Sequence, residues 1–155
     1  MRCIKPPTPL PAKTSDPIIF LAGTIDNGAG IEWQNEVCDK LRNTELVFLN
    51  PRRVAWDPSL KPAISEPVFK QQVDWELRGM ELADCIFLYF APGSKSPISL
   101  LELGLFAKSG KLIVCCPEGF WRKGNVDYIC DHFGIATVPD LATGIEYLRQ
   151  RSSIL

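Results

Sequence analysis

The feature that most constrains this chain is a set of four short apolar runs: Ile18–Ala22, Leu46–Leu49, Cys85–Phe90 and Leu112–Cys116. Each is almost free of polar residues and is closed by Gly, Pro, Asn or Ala-Pro. A half-buried strand would alternate, whereas a strand covered on both faces reads as a continuous apolar run, the mark of a parallel sheet. Ile135–Val138 is a fainter fifth candidate. Helical patterns separate the runs. Ile31–Arg42 places Trp33, Val37 and Leu41 on one face, and Pro67–Ala83 does the same with Phe69, Val73, Leu77 and Met80. Pro97–Ser109 follows Ser96 as the expected N-cap, and Leu141–Arg151 is amphipathic. Strands alternating with helices predict an α/β fold: a single doubly wound parallel sheet of about five strands, flavodoxin-like or Rossmann-like.

The prolines at 6, 7, 9, 11 and 17 exclude helix and remove ladder donors, so residues 1–17 are expected to form an extended or mobile arm before a domain at 18–155. A chain of 155 residues fits one domain with a sizeable core. With a net charge of −1, no broad basic field draws it to nucleic acid or membrane. No apolar run precedes residue 18, so neither a secretory signal nor a membrane span is expected, and the expected location is the cytosol. None of the six cysteines forms a Cys-x-x-Cys pair, and Cys85, Cys115 and Cys116 lie in apolar runs, which reads as reduced, buried thiols. With His132 as the single histidine, no metal site is expected, and no cofactor.

Ligands of open parallel sheets bind beyond the carboxyl ends of the strands. That rule selects the loops at 23–30, 50–57, 91–96 and 117–121. The first is glycine-rich, but Gly23, Gly28 and Gly30 do not fit G-x-G-x-x-G, and no Walker lysine follows. Glu102 is more informative, being the only charge between Ser96 and Ala107. A carboxylate in such apolar surroundings pays desolvation, which raises its pKa unless donors compensate. The alternative is a capping role, with Glu102 reaching back to Ser99. Acid–base or nucleophilic work would need a second carboxylate. Helical spacing puts Glu76 on the face of Phe69, Gln72, Val73 and Met80, whereas Asp74 faces Arg78 as an ion pair and Asp84 ends the helix.

These pieces in order resemble the nucleoside 2-deoxyribosyltransferase superfamily, in its transferase-like branch. The likeness rests on Ile19-Phe20-Leu21-Ala22-Gly23-Thr24-Ile25, Asn50-Pro51-Arg52-Arg53 with Trp56-Asp57, Gln72-Val73-Asp74-Trp75-Glu76-Leu77, Ala83-Asp84, and Ser96 through Gly104. It spans about residues 18–140. The resemblance implies a retaining, double-displacement reaction at an N-glycosidic bond. Glu102 matches the nucleophile, and Glu76 stands where the family usually carries an aspartate that handles the proton of the base. The implied substrate-binding set is Gly23, Thr24, Asp26, Asn50, Arg52, Trp56, Asp57, Phe69, Ser96, Asn125 and Asp127, the last two reaching the sugar site of a neighbouring subunit. Three departures stand out. Ser96 replaces an acidic residue of the transferases and matches the phosphate-holding serine of related nucleotide hydrolases. Asp26 stands where those hydrolases carry arginine, with Arg52 and Arg53 as compensating charge. Ile19 replaces a tyrosine.

The leading expectation is transfer of 2-deoxyribose between nucleobases through a covalent glycosyl-Glu102 intermediate. Two alternatives stay open: an N-glycosidase of nucleosides or nucleoside 5′-monophosphates, and a non-catalytic nucleotide sensor. Trp33, Trp56, Trp75, Phe120 and Trp121 could stack a base in any of them. The expected partners are nucleosides and free nucleobases, with deoxynucleotides under the hydrolase reading; no nucleic acid and no membrane are expected. A homo-oligomer sharing its pocket between subunits completes the expectation.

Overall fold

The structure, a computed structural model, describes residues 1–13, 15–25, 32–54, 57 and 59–151. Its strands are β1 (Arg2–Ile4), β2 (Ile18–Gly23), β3 (Val47–Leu49), β4 (Cys85–Tyr89), β5 (Leu112–Cys115) and β6 (Ala136–Val138). The helices are α1 (Trp33–Lys40), α2 (Pro67–Leu82), α3 (Pro97–Phe106), α4 (Lys123–Phe133) and α5 (Leu141–Arg151). All strand pairs are parallel, in the order β1-β3-β2-β4-β5-β6. The chain runs outward from β2 to β3, then crosses back to β4 on the other side of β2. The switch point expected to hold a ligand therefore lies between the ends of β2 and β4.

The apolar runs become strands because both faces are covered. Every residue of β3, β4 and β5 is buried. Ile18, Phe20, Ile86, Leu88 and Val114 pack against α2, α3 and α4 through Trp75, Met80, Leu103, Val126 and Cys130. Ile19, Leu21, Phe87 and Ile113 face α1 and α5 through Trp33, Val37, Ile145 and Leu148.

Two elements were not anticipated. The proline-rich arm begins with a sixth strand: Arg2 donates to the Leu46 carbonyl (3.1 Å) and Asn50 to that of Ile4 (2.9 Å). Arg2–Ile4 lies ahead of the prolines and at a sheet edge, where missing donors beyond it cost nothing. Thr8 and Lys13 dock the arm further along. Trp75 donates Nε1 to the Thr8 carbonyl at 2.8 Å, and Lys13 pairs with Asp84, whose other oxygen accepts from the Ile18 amide. Helix α4, ended by Gly134 in the left-handed conformation, is the second.

The buried face of α2 is also rotated from the expected one. Gln72, Trp75, Gly79 and Met80 are buried, while Leu77 is exposed. Gly79 explains the rotation, because a β-carbon there would lie 2.8 Å from the Phe20 ring, so the helix rests its glycine on the sheet. Asp74 pairs with Lys70, one turn earlier, and not with Arg78. Five of the six thiols are buried; Cys3 is exposed and accepts from Cys38 Sγ at 3.1 Å, which lowers it to about 7. Among the described residues no helix is long and apolar enough to cross a membrane.

Gly23 ends β2 with φ of 133°, and a β-carbon there would sit 2.2 Å from the Tyr89 carbonyl oxygen. This neighbour is backbone and cannot turn away. Gly23→Ala is expected to cost about 2 kcal/mol or more, read as a lower urea midpoint with an unchanged slope. An unchanged midpoint would show that the two strands do not approach this closely.

Candidate active site

At the switch point the chain leaves a cavity of about 410 Å³. Its walls come from the end of β2 (Ala22 to Ile25), the loop after β3 (Pro51, Arg52, Arg53), α2 (Phe69, Gln72, Val73, Glu76) and the start of α3 (Ser96 to Ser99, with Glu102). Glu102, singled out as a lone charge in an apolar segment, and Glu76, singled out by helical spacing, thus meet in one cavity, each carried by its own helix.

Glu102 is held over the cavity by α3, whose Leu103 sinks into the core beside it. It does not cap the helix; among the described residues its carboxyl group accepts no hydrogen bond. Burial, with a smaller contribution from the negative charge of Glu76, pushes it from 4.5 up to about 8. Glu76 is raised as well, again chiefly by burial, but two neighbours oppose the shift. Gln72 Nε2 donates to its Oε1 at 2.8 Å, and Arg53 supplies positive charge. The pair is therefore asymmetric: Glu76 is supported as an anion and Glu102 is not.

Ser96 occupies the N-cap position of α3 with its carbonyl accepting from Leu100, yet its hydroxyl caps nothing. Its φ of 42° is left-handed, uncommon for a non-glycine residue. The hydroxyl is drawn instead into a buried knot with Thr24 Oγ1 (2.6 Å) and Ser94 Oγ (2.9 Å). Thr24 Oγ1 also accepts from the Ala91 amide at 2.9 Å, and its own amide donates to the Tyr89 carbonyl. One threonine thereby fastens the loop after β2 to the loop after β4. Arg52 reaches Glu32 at 3.6 Å. Arg53 donates Nε to Gln72 at 2.7 Å and Nη2 to Gln71.

Of the expected site residues, Gly23, Thr24, Arg52, Phe69, Ser96, Glu76 and Glu102 line the cavity. Asn50 does not. It is fully buried at the end of β3, where its Oδ1 accepts from the Arg52 amide and shapes the loop. Asp57 is exposed and closes a turn with Ser59. Asn125 and Asp127 are exposed on α4, outside the cavity, with Asp127 paired to Lys123. Asp26 and Trp56 lie outside the described residues, as do Gly28 and Gly30. Trp33, Trp75 and Phe120 are core, and Trp121 is exposed with Nε1 on the Lys95 carbonyl; none lines the cavity, whose aromatic wall is Phe69. Arg53, expected only as compensating charge for a phosphate, and Gln72, expected only on the face of Glu76, were not anticipated as partners of the carboxyl pair. The available signal was the four-residue step from Gln72 to Glu76, which stacks them on one helix face. Among the described residues no cluster of three or more His, Cys, Asp or Glu could hold a metal ion.

The family described as nucleoside 2-deoxyribosyltransferase like matches residues 16–120. The chain belongs to this family. The matched span contains every wall of the cavity and stops before α4, so Asn125 and Asp127 lie beyond it. A crystal structure of a conserved protein from Enterococcus faecalis V583 is similar with a TM-score of 0.62 at 12% identity, over 88% of this chain and 99% of that one. At that identity the likeness speaks for the fold. No curated protein matches the chain.

A raised carboxyl pKa has a consequence for stability. The folded protein holds the Glu102 proton more tightly than the unfolded chain, so the contribution is full below 4.5 and is lost as pH rises towards about 8. Wild-type stability should therefore decline across that window by on the order of a few kcal/mol. Glu102→Gln, which keeps the neutral shape, should remove this decline in urea titrations at successive pH values. An equal slope in both proteins would show that Glu102 is not desolvated.

Proposed function

We propose that this family member is a nucleoside 2-deoxyribosyltransferase, working through a covalent glycosyl-Glu102 intermediate. The observation that carries the reading is the meeting of Glu102 and Glu76 in one cavity at the strand switch point, where the charge of Glu76 raises the Glu102 carboxyl group. The free pair favours its single proton on Glu102, and the reacting form is the one in which that proton has moved to Glu76. The carboxylate of Glu102 then attacks the anomeric carbon as the C–N bond breaks, and the base departs with the proton from Glu76. The ester holds the sugar until an incoming base attacks the same carbon. Glu102 then leaves as a carboxylate, and Glu76 takes the proton of the new base. Two inversions return the original configuration. Phe69 offers an apolar wall for the base, and Arg52 lines the same cavity. Asn125 and Asp127, exposed on α4, remain proposed as contributions to a neighbouring subunit's sugar site in a homo-oligomer.

One observation favours a second reading, hydrolysis of nucleoside 5′-monophosphates. Ser96 opens α3 beside Thr24, with Arg52 and Arg53 on the same cavity, a setting suited to an anion. Incubation with deoxyadenosine and free cytosine separates the readings by product. Deoxycytidine is expected; release of deoxyribose alone, or of deoxyribose 5-phosphate in a parallel incubation with deoxyadenosine 5′-monophosphate, would replace transfer with hydrolysis. Glu102→Ala should abolish either turnover, and full retained activity would remove Glu102 from the chemistry.

The reaction needs one proton and one negative charge on the carboxyl pair. Its kcat/KM is therefore expected to be bell-shaped, with an alkaline limb near pH 8 that belongs to the pair. In Glu76→Gln any residual rate should instead rise with pH, because only ionisation of Glu102 then matters. A falling limb that survives this substitution would assign it to another group.

A further inference from the structure

Gln72 is a buried polar side chain at the wall of the cavity, and the transfer chemistry proposed above gives it no part. Its amide makes three hydrogen bonds. Arg53 Nε donates to its Oε1 at 2.7 Å, and its Nε2 donates to the Pro51 carbonyl at 2.7 Å and to Glu76 Oε1 at 2.8 Å. The orientation of this amide is dictated by its neighbours. A guanidinium can only donate, so the oxygen must face Arg53, and a backbone carbonyl can only accept, so the NH2 must face Pro51. Both N–H groups are then committed, one of them to Glu76. A flipped amide would set N–H against N–H and oxygen against oxygen.

The consequence falls on Glu76. Its Oε1 always meets an N–H donor and serves as the acceptor oxygen, whether the carboxyl group is ionised or neutral. A proton bound by Glu76 therefore belongs on Oε2. We propose that Gln72, locked by Arg53 and the Pro51 carbonyl, is a positioning residue that fixes the Glu76 carboxyl group and confines its exchangeable proton to Oε2. This deepens the transfer reading, because a proton delivered to a departing base must leave from one defined oxygen. The charged groups around Glu76 are Arg53 from the loop after β3 and Glu102 from α3, with Arg52 on the same cavity. The first supports its anion and the second opposes it.

The test has one readout that does not depend on turnover. Carboxyl 13C resonances of Glu76 and Glu102 are followed against pH in the full-length protein, assigned with Glu76→Gln and Glu102→Gln. In Gln72→Met, close in size but without the amide, the Glu76 midpoint should move to higher pH because its anion has lost a donor. In Arg53→Met the shift should run the same way, since both the charge and the lock on the amide are gone. A Glu76 midpoint unchanged in Gln72→Met overturns the proposal. With substrate, Gln72→Met should lower kcat by about tenfold with KM nearly unchanged, and move the acidic limb of the profile to higher pH. A rise in KM alone, with both limbs in place, would make Gln72 a binding residue and also overturn it. Absence of nucleoside turnover in the wild-type protein would instead sink the transfer reading, leaving the carboxyl titration to decide on Gln72.

Discussion

Gly23 lies against the backbone of Tyr89 at the point where the sheet reverses its direction of growth, and the site depends on that contact. Two parallel strands can come this close only because Gly23 has no β-carbon. Beyond it, the chain from β2 and the chain from β4 must part to opposite sides, since each leads to a helix on a different face. The gap between them is the cavity. Thr24 bridges it at its base by bonding to Ala91, Ser94 and Ser96 at once, which sets where α3 begins. From that start, Glu102 follows one and a half turns along the helix and comes to overlook the cavity.

Helix α2 supplies the opposite wall for a comparable reason. Gly79 lets the helix settle on Phe20, and this close seat turns Gln72 and Trp75 inward. Glu76 is thereby brought to the rim of the buried region, where burial raises both carboxyl groups while only one has donors nearby. An equal pair would share its proton without preference. Here Gln72 and Arg53 break the symmetry, and the energetic asymmetry lies in the pair before any ligand arrives.

The strand runs were legible because burial on both faces writes itself as unbroken apolar sequence. All five expected runs became strands, with ends moved by a residue at most, and four helices fell where their periodicity put them. Glu102 was legible for the converse reason, a single charge where every neighbour avoids water. The sixth strand was not, since three residues carry no periodicity and β1 exists only by pairing with β3. The same limit applies to Asn50, which the resemblance placed in the pocket and the fold buries at the end of β3.

What could be read from the residues in order was therefore the layer architecture and the anomalous carboxylate, both local consequences of where apolar side chains must go. Which groups share the cavity with that carboxylate was decided by the tertiary structure. The hydroxyl knot joins residues 24, 94 and 96, and the amide relay joins 51, 53, 72 and 76. Contacts across such separations depend on how strands are ordered and how deeply a helix seats on the sheet. No window along the chain contains that information, because hydrogen bonds between distant segments form only once packing has brought their elements together.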